Sequence, residues 1–123
     1  MKATTLISIT ASLLIFFSCN HKQKTLLSKK WEVTKMEKKV KVMSNSYTYV
    51  DIGSTNNMSY NFMENNEIRI ITKYGSKLTG KWFRNDSLIT VNIKQETKEF
   101  KILNLTDKNL TMTSGKFKFY LKN

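Results

Sequence analysis

The chain has 123 residues, a formal net charge of +12, 40% hydrophobic and 11% aromatic residues, one cysteine, one histidine and no proline. That composition supports one domain with a single packed core and argues against a disordered chain or a second domain. One cysteine excludes an internal disulfide, and a lone histidine beside it excludes three-histidine and cysteine-rich zinc sites.

The first segment carries an address. Lys2 is a short positive start, and residues 6–17 (LISITASLLIFF) form an uncharged, mostly apolar run of twelve. A membrane-crossing helix needs about 20 such residues, so this run fits the apolar stretch of a signal peptide instead. It ends in Phe16-Phe17-Ser18-Cys19. That tetrad resembles the lipobox of bacterial lipoproteins, commonly Leu-Ala/Ser-Gly/Ala-Cys, from which Phe17 and Ser18 depart. The resemblance implies a lipoprotein signal peptide over residues 1–18. It also implies cleavage before Cys19, diacylglycerol in thioether linkage on that thiol, and a further acyl chain such as palmitate on the new amino terminus. Each buried CH₂ contributes about 0.8 kcal/mol and stable anchoring takes more than one chain, which triacylation provides. The blander reading is an inert cysteine in an uncleaved anchor. Asn20 follows the cysteine. The familiar sorting rule retains lipoproteins with Asp there in the inner membrane, so the expectation is an outer-membrane anchor with the domain facing the periplasm.

Residues 19–28 read as the lipidated N-terminus and tether, and 29–123 as the folded domain. Removing residues 1–18, which hold one lysine, leaves 105 residues and a charge of +11. Such a field attracts anions such as lipid headgroups or acidic glycans. Export argues against nucleic acid as a partner. The densest basic stretch is residues 22–41, with eight lysines against Glu32 and Glu37. Close to an anionic bilayer each would contribute about 1 kcal/mol; otherwise they form a solvated surface.

From Trp31 onward the pattern has period two, the mark of half-buried strands. Residues 31–35, 58–62, 67–72, 78–82, 88–93, 99–103, 109–113 and 116–121 give eight strand candidates. Short joints rich in Asn, Asp, Ser and Gly separate most of them, at 63–67, 74–77, 84–87, 105–109 and 114–116. Asn tolerates the positive φ that tight hairpin turns require. Regular strands with short joints predict a meander closing as a sandwich or barrel. A short helical turn is expected near 24–29. Residues 38–57 break the pattern. They form either a lid over one barrel mouth or an irregular extra strand near 47–51, or simply a surface loop.

Four segments together resemble the lipocalin-like domains of exported bacterial lipoproteins. Leu27-Ser28-Lys29-Lys30-Trp31-Glu32-Val33 resembles their opening "Leu-x-Gly-x-Trp-x-Val/Leu", although Lys29 and Lys30 stand where the family usually has a glycine. Tyr60-Asn61-Phe62-Met63-Glu64-Asn65-Asn66-Glu67 resembles their "Phe-x-Phe-x-x-Asp/Asn-Gly" hairpin. Residues 80–91, opening Gly80-Lys81-Trp82, resemble "Gly-x-Trp-x-x-x-Asn/Asp-x-Leu-x-Leu", and 100–112 resemble "Tyr-x-Ile-x-x-Leu-Thr-x-x-x-Leu-x-Leu". The resemblance implies an all-β fold: a single antiparallel up-and-down barrel of about eight strands. It also implies a protein that binds small apolar molecules, with tryptophan closing the barrel base.

An eight-stranded barrel is filled by its own side chains or holds one small ligand. The candidate liners are Trp31, Met58, Tyr60, Phe62, Ile70, Trp82, Val91, Phe100, Met112 and Phe119. For the two tryptophans, core packing is the stronger expectation. Catalysis, a cofactor and a metal are not expected: His21 lies in the tether, and no nucleophile–histidine pair can be assembled on the barrel. Asp86-Ser87-Leu88 resembles a bacterial O-glycosylation acceptor, which would place a glycan on Ser87. Two functions follow as expectations. One is a membrane-anchored envelope lipoprotein whose barrel binds a small apolar or amphipathic molecule. The other is a non-enzymatic interaction module whose basic surface meets anionic envelope polymers or a protein partner.

Overall fold

A computed structural model describes residues 26–53 and 57–123. The expected signal peptide, Cys19 and most of the expected tether lie outside the described residues.

Nine strands form one antiparallel sheet: β1 (Lys30–Met43), β2 (Ser46–Asp51), β3 (Ser59–Phe62), β4 (Glu67–Ile71), β5 (Lys77–Asn85), β6 (Leu88–Ile93), β7 (Glu96–Leu105), β8 (Asn109–Ser114) and β9 (Phe117–Lys122). From β3 to β9 each strand pairs with the next, and β1 pairs with both β3 and β9. Eight strands thus close an up-and-down barrel, as the alternation predicted. The expected helical turn is described at Leu26 and Leu27.

The turns follow backbone chemistry. Asn66, Asp86, Gly75 and Gly115 take positive φ at four of the expected joints, where small or Asx residues bear that conformation at low cost. The β6–β7 turn places Lys94 at φ 55°, and no Gly or Asn announces it in the sequence. β7 therefore starts at Glu96, three residues ahead of the predicted strand.

Gly80 has a different reason for being glycine. A Cβ there would lie 2.1 Å from the Asn92 carbonyl oxygen of β6. The tight approach of β5 and β6 leaves no room for a side chain, which explains the glycine two residues before Trp82.

Residues 38–57 contain an extra strand, one of the two structured readings expected for them. β1 runs on past the barrel rim, and β2 pairs back onto it from Lys41↔Tyr47 to Glu37↔Asp51. All six β2 residues are exposed. The result is a two-stranded arm rising beyond one end of the barrel. A bulge at Thr34, between the pairs Val33↔Leu121 and Lys35↔Tyr120, shifts β1 by one residue as it passes β9.

Candidate functional site

Strand directions give the barrel two unlike ends. At the base lie the helical turn and the β3–β4, β5–β6 and β7–β8 turns. At the mouth lie the arm and the β4–β5, β6–β7 and β8–β9 turns.

The base is sealed. Leu27, Trp31, Phe62, Ile68, Trp82 and Leu110 are all at most 1% exposed. Both tryptophan N–H groups are satisfied by backbone: Trp31 Nε1 donates to the Leu27 carbonyl and Trp82 Nε1 to the Met63 carbonyl, each at 2.9 Å. A buried indole N–H without such a partner would cost about 1–3 kcal/mol. Asn66 Nδ2 donates to the Trp82 carbonyl at 3.0 Å, and the Trp82 N–H donates to the Asn66 carbonyl at 2.9 Å. The hairpin and the tryptophan strand are thereby locked together. Phe62 meets Trp82 edge to face at 5.3 Å. Outside, Lys29 Nζ donates to the Asp107 carboxylate and to its carbonyl oxygen. That hydrogen bond, with the lysine charge, holds the Asp107 carboxyl below its usual range.

One layer up, Tyr60, Phe100 and Phe119 form a triangle of edge-on contacts with centroids 5.8 to 6.0 Å apart. Burial pushes the Tyr60 hydroxyl up to about 12. Above this triangle the interior opens. An apolar lobe of about 150 Å³ lies against Met58, Tyr60, Ile70, Leu78, Val91 and Phe100, with Thr72, Ile93, Glu96 and Lys98 completing its wall. A wider lobe of about 730 Å³ lies on the β1, β8 and β9 side, against Met36, Phe117 and Phe119. Met58, Tyr60, Lys98 and Phe100 border both.

The ten predicted liners therefore separate. Met58, Tyr60, Ile70, Val91, Phe100 and Phe119 face the mouth lobes. Trp31, Phe62, Trp82 and Met112 are buried and border neither lobe. Lys98, Glu96 and Met36 border the lobes and were not among the candidates. Alternation along β7 would have exposed the first two, since Glu96, Lys98, Phe100 and Ile102 share one face. The predicted strand began too late to include them. Ser87 sits exposed in the β5–β6 turn.

The described residues place no histidine or cysteine at the mouth. Its chemistry is that of a greasy recess with a charged rim: the inner wall is mostly apolar, and the charged groups Glu96, Lys98, Glu99 and Lys116 line the lobes. Such a recess binds by shape and burial, with few polar groups to orient a guest.

No protein-family model and no curated protein matches the chain. Solved structures do resemble it. A lipocalin-like protein from Bacteroides uniformis superposes with a TM-score of 0.56 at 14% identity, covering 80% of this chain and 98% of that one. An uncharacterized protein from Bacteroides eggerthii superposes with a TM-score of 0.51 at 15% identity, covering 77% and 97%. The fold is thus the lipocalin-like barrel.

Proposed function

We propose that this protein is a lipid-anchored envelope protein whose barrel takes up a small apolar or amphipathic molecule through the mouth. The observation that carries the reading is the contrast between a base packed to near-zero exposure and an apolar recess left open at the other end. A barrel built only for stability gains nothing by leaving that recess unfilled, because each void forfeits packing.

The anchor fits this orientation. Only six residues separate Cys19 from Leu26. At about 3.5 Å per extended residue they reach roughly 25 Å at most. A lipid on Cys19 would hold the base toward the bilayer and the mouth away from it. β1 carries Lys35, Lys38, Lys39 and Lys41 up toward the arm. In this orientation those lysines face away from the anchoring membrane, toward other anions of the envelope. Outer membrane, periplasmic exposure and a glycan on Ser87 belong to the same proposal.

Native mass spectrometry of the protein recovered from its own membrane tests these points together. The expected species begins at Cys19, carries three acyl chains and retains a co-purifying small molecule. An intact leader with an unmodified Cys19 would overturn the anchor. An empty barrel that also fails to take up apolar probes would overturn the binding role.

The second reading is favoured by one feature, the outer face of β9, β1 and β2. There Lys118 lies over the rings of Tyr49 and Tyr120 at 5.3 and 5.1 Å, and Lys39 over Tyr47 at 5.0 Å. This ordered lysine–tyrosine surface suits contact with an anionic envelope polymer. Such contact should weaken sharply with added salt, whereas apolar uptake should not.

A further inference from the structure

The enclosed lobe is small for a ligand site. Pockets for small molecules usually span about 300–1,000 Å³, and an apolar cavity of about 150 Å³ holds a molecule the size of benzene. Whatever enters this lobe and is much larger than one ring must extend out of it.

The inner surface does not stop at the rim. Directly paired residues of an antiparallel ladder share a face. Met36 pairs with the inward Phe119, and Lys38 pairs with Phe117 on one side and Val50 on the other. Val40 pairs with Thr48, and the Ile52 N–H donates to the Met36 carbonyl at 3.2 Å. Met36, Ile52, Val50 and Val40 therefore form an apolar strip continuous with the barrel interior. Val50 and Ile52 remain 40% and 39% exposed, with no layer of protein over them among the described residues.

Charge on this path is biased. Lys38 stands on the strip, and Lys98 and Lys116 border the wider lobe with one acid, Glu99. No described residue gives the Lys38 or Lys98 ammonium group a salt bridge or hydrogen bond. Glu96 lines the enclosed lobe beside Lys98 and does not border the wider one, so it stands at the apolar end of the path.

We infer that the β1–β2 arm is part of the binding site, and that the ligand is a linear amphiphile with an anionic end. Its chain starts in the enclosed lobe, crosses the wider lobe and lies along the strip of Met36, Val40, Val50 and Ile52. Its anionic end meets Lys38, Lys98 or Lys116 according to length. This deepens the proposed binding role and rests on it.

The test uses residues 20–123, which contain the closed barrel and its Leu27 plug, checked for cooperative melting. Binding of octanoate, tetradecanoate and tetradecyltrimethylammonium is measured by calorimetry below their micelle concentrations. Tetradecanoate is expected to bind about tenfold or more tighter than the cationic chain of equal length. Val50→Ser with Ile52→Ser is expected to weaken tetradecanoate about tenfold through lost apolar burial and octanoate less than about twofold. Lys38→Gln with Lys98→Gln is expected to weaken both carboxylates and spare the cation. If no chain binds at all, the binding role itself falls. If chains bind but the arm variant leaves tetradecanoate unchanged, the role stands and the arm assignment falls. If both head charges bind equally, the anionic end falls. A dimer that the arm variant dissolves would mean that a second copy covers the strip, and would overturn the assignment.

Discussion

The base and the mouth of this barrel are made from the same strands and the same alternation, yet they end in opposite states. At the base, two indoles, a phenylalanine and a leucine plug leave almost no exposed apolar surface, and both indole N–H groups are spoken for. At the mouth, methionines and aliphatic side chains stop short of meeting across the interior. One end spends its side chains on stability. The other holds space open, at the expense of the packing energy that filling it would return. Stability and binding are therefore expected to be separable by mutation.

The largest break in that separation should come at the base. Trp82→Ala removes the Phe62 contact and the bond to Met63 together. It should cost about 3–5 kcal/mol, read by urea denaturation. A loss under about 1 kcal/mol would mean that the base is not the structural end.

Tyr60 sits between the two regions, and pH sharpens the contrast there. Its hydroxyl titrates at about 12 when folded against 10.0 when unfolded. The unfolded chain thus loses this proton first. The stabilisation is complete below pH 10 and is lost as pH rises toward 12, amounting to roughly 2–3 kcal/mol. Tyr60→Phe should flatten that part of the alkaline stability curve. An unchanged curve would show the hydroxyl to be solvated.

Gly80→Ala should cost about 1–3 kcal/mol, because the added methyl meets backbone rather than a movable side chain. Smallest of all, Met58→Ala at the mouth should cost only about 1 kcal/mol, since the side chain is half-buried beside an existing void. It should nonetheless alter uptake of apolar probes, measured by probe fluorescence. A Met58 variant as damaging as the Trp82 one would erase the distinction between the ends.

Much of this architecture was legible beforehand. All eight predicted strands exist, because each has one wet and one dry face and period two reports that directly. Asn66, Asp86, Gly75 and Gly115 marked four turns because positive φ selects those residue types. Lys94 takes the same conformation with no such sign, so the start of β7 was missed, and Glu96 and Lys98 with it. The arm was harder to read. Both of its faces are exposed, so wet and dry do not alternate, and only the rings and β-branched residues at 47–52 hinted at a strand. Position along the barrel axis was equally hidden. Alternation identifies Trp31 and Met58 as inward-facing alike, but closure alone sends one to the seal and the other to the opening.

The bulge at Thr34 acts as a phase change written into a single strand. Below it the odd-numbered residues Trp31 and Val33 point inward; above it the even-numbered Met36 and Val40 do. Were Thr34 paired like its neighbours, with no bulge, the count would continue odd, and Lys35, Glu37, Lys39 and Lys41 would be turned onto the greasy side while Met36 and Val40 faced water. One unpaired threonine lets the same fourteen residues line a dry interior at one end and present a row of lysines outward at the other.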